Sequence, residues 1–159
     1  MKFGLDKVLV AFTFVFVFCG IGYAEKCTQP GSIKRVKNRS AGNVEYVIFD
    51  LLKRADTPNS APDYEVKSAS GPFTDYSGDE TIPVRGKKFK SIVFKNLYWM
   101  CESRDQTKTP RAAVRDIKQL SRFEGIAEYV VGFRSRSRYI TTYHYNAGSV
   151  IKVVMKFRK

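Results

Sequence analysis

The chain predicts an all-β fold, an antiparallel β-sandwich of about eight to nine strands. Three observations carry this. Short apolar or alternating stretches recur along most of the sequence, separated by Gly, Pro, Asn and Ser turn signals. Aromatic residues make up 14% of the chain and are mostly Tyr and Phe, which suit pleated, half-buried surfaces. The expected strands differ in length and several connections are long, which favours a sandwich over a closed barrel.

Ser32 to Asn38 is a short basic stretch carrying Ile33 and Val36, suited to an edge strand, and Arg39 to Asn43 reads as a turn. Val44 to Leu52 is the first strong strand. Val44, Tyr46 and Ile48 face one way and Val47, Phe49 and Leu51 the other, so both faces are apolar, as in a central strand buried on two sides or a wide sandwich strand. Lys53 to Pro62 is broken by Pro58, Asn59 and Pro62. Tyr64 to Ser68 alternates as a half-exposed strand would. After an irregular stretch through Asp79, Thr81 to Val84 predicts a short edge strand, because Pro83 cannot donate to a central ladder.

Lys88 to Leu97 reads as a strand with Phe89 and Val93 on one face and Ile92 and Phe94 on the other. Tyr98 to Pro110 becomes polar and is expected to be a long loop. Ala112 to Leu120 fits a helical turn or an irregular strand, with the strand preferred. Ile126 to Phe133, Tyr139 to Tyr145 and Val150 to Phe157 are three further strands, expected to form an antiparallel meander. Asn146 to Ser149 supplies a hairpin turn, since Asn and Gly tolerate positive φ. No repeat or low-complexity linker divides the sequence, so residues 25–159 are expected to be one domain.

Residues 1–24 read as a secretory signal peptide. Lys2 and Lys7 precede the apolar run Val8 to Cys19, and Gly22-Tyr23-Ala24 places small residues for a cut after Ala24. The run of 12 residues is short of the roughly 20 needed to span a bilayer. Phe18 before Cys19 and Lys26 before Cys27 do not suit lipid attachment. The expected product is secreted or periplasmic, with no stable membrane insertion after cleavage. In an oxidising compartment Cys27 and Cys101 are expected to pair. Chain-entropy reasoning values so long a loop at roughly 4 kcal/mol.

Without residues 1–24, which hold two lysines and one aspartate, the net charge passes from +13 to +12. Such an excess draws anionic partners. For an exported protein these are envelope polymers or lipid head groups, not nucleic acid. The sharpest local feature is the run Arg134, Arg136, Arg138; if the three alternate along strand ends, their guanidinium forks share one face and can grip phosphate or carboxylate groups. Lys87, Lys88 and Lys90 form a second cluster, and Lys152, Lys156 and Arg158 a third on the last strand. The competing reading of all three is a solvated strand face that also protects an edge.

Catalytic and metal chemistry find little support. His144 is the only histidine, set between Tyr143 and Tyr145 as a packed or surface strand residue. Its spacing from the two cysteines matches no zinc pattern. Asp75, Asp79 and Glu80 share one solvated stretch, and Glu124 stands alone before Gly125. No glycine-rich phosphate loop is present. No cofactor, metal or enzymatic activity is expected. Asn38-Arg39-Ser40 matches a glycosylation acceptor, a short pattern given no weight.

The order of motifs resembles the AMIN-like domains of exported bacterial proteins, from about Gly42 to Phe157. It rests on Val44 to Asp50, Tyr64-Glu65-Val66, Ile82-Pro83-Val84, Ile92-Val93-Phe94, Phe123-Glu124-Gly125, Tyr129 to Phe133 with the arginine run, and Ser149 to Val154. The closing strand differs from that family, with Gly148-Ser149 and Lys156 in place of a Pro-Arg start and a late acidic residue. The resemblance implies a β-sandwich and a role in envelope targeting and peptidoglycan association. The leading expectation is therefore a non-enzymatic module that holds anionic cell-wall polymer. The alternative is a protein-interaction module, an accessory or inhibitor of an envelope enzyme, docking through Tyr98-Trp99-Met100; for that trio itself core packing at a strand end is the preferred reading, since large apolar residues are usually buried.

Overall fold

The computed structural model describes residues 28–57, 60, 62–97 and 112–159. The expected signal peptide, the expected Cys27–Cys101 pairing and the Tyr98-Trp99-Met100 trio lie outside the described residues.

Eight strands form two antiparallel sheets of four. They are β1 (Ile33–Ala41), β2 (Val44–Leu52), β3 (Tyr64–Ala69), β4 (Lys88–Phe94), β5 (Val114–Phe123), β6 (Ile126–Phe133), β7 (Arg138–Ala147) and β8 (Val150–Arg158). Sheet A has the order β1-β2-β8-β7 and sheet B the order β3-β4-β6-β5. The described residues contain no helix, and the ambiguous stretch Ala112 to Leu120 is strand β5 from Val114 onward. This is the all-β sandwich the sequence predicts.

Strand alternation assigns the two faces. In β2 the residues Val47, Phe49 and Leu51 are buried between the sheets, while Tyr46, Ile48 and Asp50 lie on the outer face. Phe49 meets Phe94 of β4 at 5.1 Å and Tyr129 of β6 at 5.2 Å, so one aromatic cluster joins the sheets. Burying each such ring contributes roughly 2–3 kcal/mol. A polar tie crosses the same interior: the Val114 N–H donates to Oε2 of the fully buried Glu45 at 2.9 Å. Three hairpins close on two residues, Gly42-Asn43, Glu124-Gly125 and Gly148-Ser149. Glu124 (φ 44°) and Gly125 (φ 78°) are both left-handed, the backbone whose twist matches the flanking strands.

Three local expectations change. Arg39 to Ala41 continues β1, and only Gly42-Asn43 turns. Thr81 to Val84 is not a strand; Thr81 makes one isolated bridge to Thr74, in a segment where Pro83 removes a ladder donor. The final three strands are not a meander either. β7 pairs with β8 in sheet A, whereas β6 pairs with β4 and β5 in sheet B. The arginine run therefore crosses from one sheet to the other, at one end of the sandwich. That crossing positions the site.

Candidate anion-binding rim

β6 leaves sheet B at Phe133, and the chain turns through residues 134–137 before β7 starts in sheet A. The Ser137 N–H donates to the Arg134 carbonyl oxygen at 3.1 Å, and the Arg134 N–H donates to the Ala113 carbonyl at 3.1 Å. The arginine run is thus a tight turn pinned to the start of β5, so its three side chains do not share one strand face.

A second segment reaches the same place. Residues 85–87 run across the outer face of sheet B against Gly132, which has no side chain to obstruct them. A Cβ on Gly132 would strike the Arg85 carbonyl oxygen, and one on Gly86 would lie 2.8 Å from the Phe133 nitrogen. Hydrogen bonds hold the crossing. The Lys87 N–H donates to the Phe133 carbonyl at 2.9 Å, and the Arg85 N–H and Nε donate to Oδ2 of the buried Asp116 at 3.0 and 3.4 Å. Close backbone approach at two glycines is what brings the lysine cluster beside the arginine run.

Two adjacent clefts result. The first, about 560 Å³, is lined by Arg85, Lys87, Arg115, Arg134 and Arg136. The second, about 590 Å³, shares Lys87 and adds Lys88, Lys90 and Arg138 with the Ser68 and Tyr139 side chains. No carboxylate lines either cleft among the described residues. Of these eight cations only Arg85 forms an ion pair among the described residues, to Asp116. Lys90 is held as well: its Nζ donates to Ser68 Oγ at 2.9 Å and sits 5.0 Å from the Tyr139 ring centroid. On the sheet A side Arg138 stands directly opposite Arg158, a cross-strand pair of like charges that costs stability.

The two clusters singled out from the sequence therefore converge, with Arg134 and Arg136 in one cleft, Arg138, Lys88 and Lys90 in the other, and Lys87 between. Sequence reasoning missed Arg85 and Arg115. Gly132 was the available signal, since a glycine inside a strand often marks a close backbone approach. Lys152, Lys156 and Arg158 line neither cleft and lie on the outer face of sheet A, with Arg158 at the rim end opposite Arg138.

The remaining titratable groups do not gather. His144 Nδ1 lies 3.4 Å from the Tyr64 hydroxyl, with the rings edge to face at 6.0 Å, so it packs where β7 faces β3. Asp75 accepts from the Ser77 hydroxyl at 2.6 Å and the Glu80 N–H at 3.0 Å; these bonds hold its carboxyl below the usual range and close its own loop. Glu124 occupies the β5–β6 turn. Among the described residues no group of three His, Cys, Asp or Glu side chains could hold a metal ion. The Asn38 amide faces inward on β1 with both polar atoms buried, so the glycosylation pattern is not presented to solvent.

No family model, curated protein or solved structure matches this chain.

Proposed function

We propose that this protein is an exported, non-enzymatic module of the cell envelope that holds anionic wall polymer, peptidoglycan or a similar material, at its basic rim. One observation carries the reading: eight cations converge on two adjoining clefts that, among the described residues, no carboxylate lines and a single ion pair serves. Guanidinium forks suit planar or tetrahedral oxyanions, and several on one rigid rim can hold repeated charges at once. The proposed secretory signal and the proposed kinship with AMIN-like domains point the same way.

Retention of the purified protein on isolated cell-wall sacculi across a salt series tests this. The Debye length shrinks from about 10 Å at 0.1 M to about 3 Å at 1 M, so retention should fall steeply. The Arg134→Ala/Arg136→Ala/Arg138→Ala variant should elute at much lower salt. Equal retention of variant and wild type removes the rim from the account. Salt-insensitive retention would favour the protein-interaction reading instead. Its surface would be the exposed patch in which Tyr76 stacks on Phe123 at 4.3 Å beside Ile126.

A further inference from the structure

The outer face of sheet A carries a pattern that the rim does not use. After the bulge between Tyr139 and Thr141, the outward residues of β7 are Thr141, Tyr143 and Tyr145. On the neighbouring β8 they are Lys152, Val154, Lys156 and Arg158. Register sets Tyr145 opposite Lys152 and Tyr143 opposite Val154, while Lys156 has Thr141 on one side and Tyr46 of β2 on the other. Tyr143 and Tyr145 are 41% and 44% exposed, with rings nearly parallel and centroids 6.3 Å apart. A strip of tyrosine thus runs beside a strip of lysine, one strand spacing apart.

Charge on this face is one-sided. Asp50 is the only carboxylate there among the described residues, and its Oδ2 already accepts from Arg35 at 2.8 Å and Lys37 at 3.0 Å. Lys152 and Lys156 form no ion pair among the described residues. At its end the strip meets Arg158 and Arg138, and Arg138 lines the second cleft of the rim. From Lys152 to Arg158, the residues opposite Tyr145 and Arg138, the regular partner strand covers about 20 Å at 3.3 Å per residue. The face and the rim form one continuous basic path.

We propose that the β7–β8 outer face is a binding track for an acidic polysaccharide whose carboxylates sit directly on its sugar rings, and that it leads such a chain into the rim. The extension into the rim rests on the function proposed above; the track itself does not. A pyranose ring offers a C–H face to a tyrosine ring and carries a carboxylate at its edge. Adjacent strands lie about 4.8 Å apart, so a ring seated on the β7 tyrosines holds its carboxylate over the β8 lysines. The tyrosine strip selects sugar rings, which charge alone cannot do, and the track's length selects polymer over monomer.

Binding of polygalacturonate to the purified full chain tests the track, with monomeric galacturonate, sodium tripolyphosphate and oligo(dT) as comparison probes. The Tyr143→Ala/Tyr145→Ala variant should bind polygalacturonate at least tenfold more weakly and tripolyphosphate as the wild type does. Tyr143→Phe/Tyr145→Phe, which keeps the rings, should stay within threefold of wild type, and this separates stacking from damage to β7. Wild-type affinity in the alanine pair overturns the track, whatever happens at the rim. Tighter, tyrosine-dependent binding of oligo(dT) overturns the polysaccharide assignment, since bases also stack on aromatic faces. Arg134→Ala/Arg136→Ala should lose tripolyphosphate. If it keeps both tripolyphosphate and polygalacturonate while the tyrosine pair loses polygalacturonate, the rim reading fails and the track stands.

Discussion

The two ends of the sandwich solve the same geometric problem with opposite electrostatics. Both are places where strands stop, loops cross and a cleft remains. At the far end, a cleft of about 270 Å³ is bordered by Leu52, Arg54, Asp63, Lys95 and Asn96. There the cations have partners. Arg54 pairs with Asp56 at 2.8 Å, Lys95 with Glu65 at 3.6 Å, and the Asn96 amide donates to Asp63 at 2.9 Å. At the rim, eight cations share one ion pair among the described residues, and Arg138 faces Arg158 across two paired strands. Self-repulsion of this kind destabilises the free protein and is relieved when an anion binds. The difference separates an end whose charges are paired within the chain from an end where the proposed ligand would supply the pairing.

Glycines offer the hardest break of this comparison. Gly132→Ala should cost about 3 kcal/mol in urea unfolding, because the added Cβ meets a backbone carbonyl that is itself anchored through Asp116. It should also abolish rim binding by displacing Arg85 and Lys87. Gly125→Ala, at the far end, places a Cβ 3.0 Å from the Leu97 carbonyl at φ 78°. It should cost about 1–2 kcal/mol and leave rim binding intact. A larger loss at Gly125 would mean that the rim crossing is not the tighter of the two.

Acid sensitivity should belong to neither end. Burial pushes the Asp50 carboxyl up, but hydrogen bonds from Arg35 and Lys37, and their charges, outweigh it and hold the group below its usual value. A carboxyl with a depressed folded-state pKa contributes stability above its unfolded value of about 3.9 and loses it as pH falls through the folded value. Stability should therefore decline on the acid side of about pH 4. Asp50→Asn should flatten that limb and lower stability by about 1 kcal/mol at neutral pH, discounted because Arg35 is half exposed. At the far end, hydrogen bonds from Arg54 and Lys67 hold Asp56 and Glu65 low as well, but both carboxylates are in open solvent. Asp56→Asn should leave the acid limb unchanged, and pH-dependent chemical denaturation of the two variants distinguishes them.

The smallest effect has the opposite sign. Arg138→Ala removes one member of the like-charged pair and should raise stability by about 0.5 kcal/mol at low salt. Thermal melts should show that gain shrinking as salt screens the pair. Arg54→Ala should give no such gain, because Arg54 faces a carboxylate.

Much of the local structure was legible in the sequence. β2 and β6 occupy the segments that their alternation and apolar content indicate, and the Gly148-Ser149 turn falls within its Asn-Gly signal. Thr81 to Val84 was misread because its apolar content suits a strand, whereas Pro83 and the crossing over Gly132 leave it a connecting segment. Of the rim, the cations on contiguous runs were visible. Arg115, alone on a bulged part of β5, and Arg85, fixed by Asp116 31 residues away, were not.

Period-two patterns and turn residues act over a few bonds, so the sequence by itself determined that this chain makes strands, where most of them turn, and that their surface is basic. Sheet membership depends on which apolar faces close over one core, a choice shared by the whole chain. Tertiary structure alone therefore sent β6 to one sheet and β7 to the other. It laid residues 85–87 over Gly132, and from two separate runs of positive charge it made one rim.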